Sequence, residues 1–234
     1  MSTCIITGAG SGIGRATAIE LGKVSEYDNI ILIGRTEQTL LETAKMMDDY
    51  DCNVVYFVFD LSQIENIPQL VQTIYDKFGT IDCLINIAGY TDPQPLLTTS
   101  IENMTITYSV NVFAPFVLIR ECVRFMKSNR TISKILNVAS TAGITPRPGW
   151  LSYASSKAAV VAMSQTLSEE LSEYGIKVYC VSPGRCATAL RRKLAPDEDQ
   201  SKIMQPEEVG SIIVNLISKE EHCLDGQNIV IRRK

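Results

Sequence analysis

Thr7-Gly8-Ala9-Gly10-Ser11-Gly12-Ile13-Gly14 follows a short apolar run at 4–7 and opens an amphipathic stretch at 13–22. Three of its glycines have separate steric reasons to lack a side chain. Gly8 permits a tight turn, Gly12 lets backbone approach a phosphate, and Gly14 lets a helix lie close to a sheet. A helix starting here aims unpaired N–H groups and its positive dipole end at an anion in the turn. The pattern has weight only between a strand and a helix, and both are present. Thr7, Gly8, Gly10, Ser11, Gly12, Ile13 and Gly14 are therefore a candidate cradle for a dinucleotide pyrophosphate.

Outward from this turn, short apolar runs alternate with longer amphipathic ones. Runs at 4–7, 30–33, 54–59, 83–86, 135–138, 178–181 and 229–231 are rich in β-branched residues and predict about seven strands. Helices are predicted at 13–22, 38–49, 67–78, 101–127, 150–174 and 206–218. Such alternation builds βαβ units, and so a doubly wound, Rossmann-like parallel α/β sheet with helices on both faces. With 234 residues, 45% of them hydrophobic, the chain can bury a large core, and a single domain over 1–234 is expected. One segment breaks the rhythm. Residues 184–205 carry Arg185, Arg191, Arg192 and Lys193, then Asp197-Glu198-Asp199, and read as a lid over a substrate site or as a solvated excursion.

Composition removes several classes of function. Twenty-two basic against 26 acidic residues give a formal charge of −4, which argues against nucleic-acid binding. Seven dispersed cysteines without Cys-x-x-Cys spacing read as reduced thiols rather than a disulfide framework or a zinc site. The single histidine, His222, cannot by itself build a metal centre, so no metal is expected. No apolar run approaches the roughly 18 to 20 residues that span a bilayer, and no secretory signal precedes the glycine turn. A cytoplasmic protein without membrane attachment is the expectation.

The second strand ends Ile33-Gly34-Arg35, where many dinucleotide sites carry a carboxylate for the ribose. A guanidinium there can pair bidentately with a 2′-phosphate, which favours NADP(H) over NAD(H); the alternative is an ordinary surface arginine. Asp60, closing the third strand with Leu61 after it, faces the adenine or caps the next segment. Tyr153 and Lys157 are four apart and share a helix face. There an ammonium can favour a phenolate, lowering a phenol pKa that starts near 10. Such a phenol can protonate a carbonyl or deprotonate an alcohol. Ser140, just beyond the strand at 135–138, can hold the substrate oxygen against it.

The glycine turn, Asp60, Asn86-Ile87-Ala88-Gly89, Asn111, Ser140, Tyr153-Ala-Ser-Ser-Lys157 and Pro183-Gly184 occur in this order over nearly the whole chain. Together they make it resemble a classical short-chain dehydrogenase/reductase. The resemblance implies Tyr153 as general acid/base, Ser140 orienting the carbonyl, Lys157 on the nicotinamide ribose, and Asn111 holding a relay water. It also implies Asn86, Ala88 and Gly89 on the adenosine side of the cofactor. Pro183, Gly184, Cys186 and Thr188 would lie toward the nicotinamide, with Cys186 a small packing residue rather than a nucleophile. A homodimer or homotetramer paired through the long helices is implied too. Ile87 stands where the family pairs two asparagines, and the C-terminus lacks the usual Asp-Gly-Gly tail.

The activity so implied is NADP(H)-dependent interconversion of a small-molecule carbonyl and a secondary alcohol. Reduction of 3-oxoacyl-carrier-protein is one version of it, with Arg120, Arg124 and Lys127 on one helix face as a docking surface or, the favoured reading, as a solvated basic face. A sugar or polyol substrate, its phosphate met by the arginines of 184–205, is another. A non-catalytic NADP-sensing protein is the alternative of a different class. The substrate pocket is expected from Ser140, 141–150, 90–97 and the lid.

Overall fold

Strands β1 (Thr3–Thr7), β2 (Asn29–Gly34), β3 (Asn53–Val58), β4 (Cys83–Asn86), β5 (Ser133–Val138), β6 (Ile176–Pro183) and β7 (Asn228–Ile231) form one sheet in the order β3-β2-β1-β4-β5-β6-β7. The computed structural model describes residues 1–233. Every pair in the sheet is parallel. Parallel pairing requires crossovers that cover both faces, which is why the inner strands read as unbroken apolar runs. Ile5, Ile6, Ile31 and Leu32 are fully buried, each contributing about 1.5–3 kcal/mol of apolar burial.

The crossovers carry helices α1 (Gly12–Val24), α2 (Glu37–Lys45), α3 (Ile67–Phe78), α4 (Ile101–Tyr108), α5 (Ala114–Met126), α6 (Leu151–Glu170), α7 (Ala189–Leu194) and α8 (Pro206–Ile217). One core lies under α1, α2 and α8, with Leu21, Leu40 and Ile213 against Ile6, Leu32 and Leu136. The other lies under α3, α5 and α6, with Ile74, Leu118 and Leu167 against Ile5, Ile31 and Ile135. The predicted fold class and strands are those observed, with ends differing by one or two residues.

The expected helix at 101–127 is not regular. Between α4 and α5, Ser109–Phe113 forms a π turn, in which Ala114 N–H donates to Ser109 C=O. The extra residue per turn rotates the start of α5 relative to α4 and points Asn111 inward, with only 1% exposed. The continuous stretch Ile101–Met126 is long and apolar enough to cross a membrane by those criteria alone, but 56% of its most apolar window is buried. That is the composition of a helix packed on a sheet.

Candidate active site

A cleft of about 610 Å³ runs across the carboxyl ends of the strands, over the switch point between β1 and β4. That is where parallel α/β sheets form a ligand crevice, and the volume suits a small-molecule or cofactor site. Arg35, Asp60 and Leu61 line one end of it, the glycine turn lies along the middle, and Ser140, Tyr153 and Lys157 line the other end.

The turn is fixed by backbone sterics. Gly8 and Gly12 have φ of +71° and +53°, a region that side chains disfavour. A Cβ on Gly14 would stand 2.1 Å from the Gly8 carbonyl oxygen, so only glycine lets α1 begin this close to the turn. The first turn of α1 contains no acidic residue, and Ser11 makes no side-chain cap. Its N–H groups are left to an outside anion, so the residues fit a dinucleotide pyrophosphate.

Arg15 braces this geometry. Its Nη2 donates to the Gly10 and Thr39 carbonyls at 2.7 and 3.2 Å and pairs with Glu42 at 3.0 Å; Nε donates to the Thr43 hydroxyl at 3.0 Å. Thr43 in turn donates to the Ala9 carbonyl at 3.0 Å. Nothing in the glycine pattern announces Arg15, because its partners lie on α2. At the same end, exposed Arg35 lines the cleft beside Gly34, with no ion pair among the described residues. Asp60 lines it too, and its Oδ1 accepts from Ser62 N–H at 2.9 Å, which caps the segment that follows β3.

At the other end, the Lys157 ammonium donates to the Val138 carbonyl at 2.8 Å and lies 5.9 Å from the Tyr153 ring centre. Burial pushes Lys157 down to about 8. Burial also raises the Tyr153 phenol above its ordinary range, against the opposing influence of the Ser140 hydroxyl and the positive Arg147. The expected lowering by Lys157 is therefore not found. The ammonium is directed at a backbone oxygen, and burial disfavours the phenolate more than its neighbours favour it. Trp150 packs edge-on against Tyr153 with ring centres 5.8 Å apart. Ser140 Oγ accepts from Ala142 N–H at 3.1 Å, which fixes the turn after β5.

Three expected site residues lie beneath the cleft rather than in its wall. Thr7 is 1% exposed, and its Oγ accepts from Ile87 and Ala88 N–H at 3.1 and 3.2 Å, tying β1 to the exit of β4. Asn86 donates to Asn137 Oδ1 at 2.9 Å across the β4–β5 pair. Asn111 accepts from Tyr90 N–H at 2.7 Å and donates to the Tyr90 carbonyl and Ser156 Oγ, each at 2.9 Å. Each is a strand-end or helix residue whose side chain turns into the protein, so Thr7 and Asn86 shape the cleft without facing it. Ala88, Gly89, Pro183, Gly184, Cys186 and Thr188 do line it. Burial pushes the Cys186 thiol up to about 12, in keeping with a packing role.

Residues 184–205 form a closed excursion. Ala187 N–H donates to the Met204 carbonyl at 2.8 Å and Met204 N–H to the Arg185 carbonyl at 3.2 Å, stitching its two ends. Thr188 caps α7 through Arg191 N–H at 3.1 Å. Its methyl lies 3.1 Å from where a Gly12 Cβ would stand, so the root of the excursion touches the glycine turn. Glu198 takes a two-point pair from Arg191 at 2.6 and 2.8 Å and a further bond from Arg185 at 3.0 Å. Those arginines, expected to meet a substrate phosphate, are engaged with this carboxylate. Arg120 and Arg124, two of the three cations of the basic face offered for carrier-protein docking or for solvation, are likewise paired with Glu121 at 2.7 and 2.9 Å.

The family model for short chain dehydrogenases matches residues 2–199. The 3-oxoacyl-(acyl-carrier-protein) reductase FabG of Thermotoga maritima is 32% identical, over 97% of this chain and 95% of that protein. A 3-ketoacyl-(acyl-carrier-protein) reductase from Brucella melitensis, complexed with NADH, superposes with a TM-score of 0.87 at 25% identity, covering 98% of this chain and 96% of that one. A protein of Beutenbergia cavernae assigned provisionally as an NAD(P)-dependent gluconate 5-dehydrogenase, with NADP bound, gives 0.90 at 26%, covering 98% and 94%. With its glycine turn, its Tyr-Lys pair and its seven parallel strands accounted for, this chain belongs to the short-chain dehydrogenase/reductase family and is a nicotinamide-dependent oxidoreductase.

Proposed function

We propose that the chain interconverts a carbonyl and a secondary alcohol with NADP(H), with Tyr153 as general acid/base. The observation that carries this reading is one cleft with the glycine turn along its middle and Ser140, Tyr153 and Lys157 at one end. A nicotinamide bound along that cleft supplies or accepts the hydride at the reacting carbon. Ser140 donates a hydrogen bond to the substrate oxygen and sets it against the phenol, and Tyr153 delivers the proton to that oxygen. Lys157 holds the nicotinamide ribose and resupplies the proton. Asn111 fixes the Tyr90 backbone at the edge of the cleft and the start of the relay. Arg35 binds the 2′-phosphate, which sets NADP(H) ahead of NAD(H).

Residues 184–205 act as a lid that keeps water from the reacting centre. The chain acts as a single domain in the cytoplasm. It assembles as a homodimer or homotetramer through α4–α6, where Ile101, Phe113, Phe116 and Leu151 are exposed. The FabG relative keeps the 3-oxoacyl thioester version of the reaction in view.

NADPH oxidation across carbonyl compounds, thioesters and sugars tests the reading together with Tyr153→Phe. Turnover is expected to fall at least about a thousand-fold in that variant, with NADPH affinity nearly unchanged. Normal turnover by the variant removes Tyr153 from its role; NADPH binding without turnover of any carbonyl by the native protein points to a sensor.

A further inference from the structure

The substrate end of the cleft holds a cation that the catalytic roles leave unused. Arg147 lines the cavity with Ser140, Trp150 and Tyr153. It is half-buried, its one side-chain hydrogen bond is a long contact from Nη2 to Thr141 Oγ1 at 3.5 Å, and no carboxylate pairs with it among the described residues. Its neighbours in the wall differ. Arg185 and Arg191 share Glu198, Lys157 is bonded to Val138, and Lys193 is exposed on the short lid helix. Asp60 is the one acidic side chain lining the cleft among the described residues, and it belongs to the glycine-turn and Arg35 end.

The segment that carries Arg147 is stiff. Pro146 and Pro148 flank it, so φ is fixed on both sides and Arg147 itself is steered toward extended backbone. Trp150 N–H closes the turn onto the Arg147 carbonyl at 3.1 Å. The backbone beneath the guanidinium is thereby fixed, and its planar fork matches a carboxylate in two parallel hydrogen bonds. Arg147 lines the same cavity as Ser140 and Tyr153, so a group bound to it shares that cavity with the carbonyl oxygen being protonated.

Resting on the carbonyl-reductase reading above, we infer that the substrate is a small oxo acid. Its carboxylate is clamped by Arg147 while its carbonyl oxygen sits between Ser140 and Tyr153. A neutral thioester group offers this arginine no charged partner.

The test compares 2-oxopentanoate, 3-oxopentanoate and 4-oxopentanoate with their methyl esters, in the intact protein with NADPH. At least one acid is expected to exceed its ester in kcat/KM by about ten-fold or more. Arg147→Gln should reduce that acid-to-ester ratio by about 10- to 100-fold, the factor that a charge-assisted pair supplies. Arg147→Lys should retain part of it. Esters turned over as well as the acids overturn the proposal, as does a ratio unchanged in Arg147→Gln, which would mark a merely structural arginine. Binding is followed separately by quenching of Trp150, the sole tryptophan. If no probe turns over, acid-selective quenching that Arg147→Gln removes upholds the carboxylate site while the reductase reading fails. Equal quenching by acid and ester sinks the carboxylate site.

Discussion

The ammonium of Lys157 donates to the Val138 carbonyl at 2.8 Å while standing 5.9 Å from the ring of Tyr153. The lysine is thus anchored to β5, and burial acts on both side chains against their charged forms.

Lys157 gives a stability prediction with a definite sign. In the unfolded chain it keeps its proton up to about 10.5; in the fold it releases it near 8. Between those values the unfolded state binds the extra proton, so stability should rise with pH across the window. Lys157→Met lacks this gain and also leaves the Val138 oxygen unpartnered, a loss that does not vary with pH. From urea melts of the cofactor-free proteins, native minus variant stability should rise by on the order of 3 kcal/mol between pH 8 and 10.5. A difference independent of pH rejects the assignment.

Arg35 stands exposed beside Gly34 with nothing to neutralise it among the described residues. Arg35→Ala should lower the NADPH-to-NADH ratio of kcat/KM by about ten-fold or more. An unchanged ratio would leave Arg35 a surface residue and return the cofactor preference to an open choice.

Gly14 is required by contact, not by φ. Since a Cβ would meet the Gly8 oxygen at 2.1 Å, Gly14→Ala must push α1 away from the turn. A loss of about 3 kcal/mol or more is expected, together with weaker NADPH binding. Gly79 is the control: its Cβ would meet nothing within 4 Å, although φ is +75°. Gly79→Ala should therefore cost about 1 kcal/mol and leave NADPH affinity as it was. Equal effects on binding would refute the steric account.

Glu198 tests the lid. With one carboxylate holding Arg185 and Arg191, Glu198→Gln should loosen 184–205 without disturbing the sheet. Limited trypsin digestion should then cut faster at Arg191, Arg192 or Lys193, with the melting temperature little changed. Those arginines hold the carboxyl below its ordinary value, so the native lid should keep its protection until the pH falls into the acidic range. Identical digestion rates for variant and native protein would show that the staple is idle.

Much of this site was legible in the chain because its signals are local. Backbone sterics tie glycines to the turn at 7–14, and helical spacing puts Tyr153 and Lys157 on one face. The misses share a cause. The π turn at Ser109–Phe113 shows no break in apolar content, so 101–127 read as one regular helix. Arg15, Thr7 and Asn86 differ from true wall residues only in the direction their side chains take. That direction depends on partners such as Glu42, Ile87 and Asn137, distant in sequence.

By itself, then, the order of residues determined the alternation of strands and helices, the glycine turn between β1 and α1, and the shared helix face of Tyr153 and Lys157. Each arises from steric and periodic rules acting over a few neighbouring residues. Folding in three dimensions decided that Lys157 bonds Val138, that Glu198 occupies two arginines of the 184–205 excursion, and that Arg147 lines the cavity of Tyr153 without an ion pair among the described residues. Those outcomes depend on which charged groups the crossovers bring together and which they leave without a partner, and no local rule contains that information.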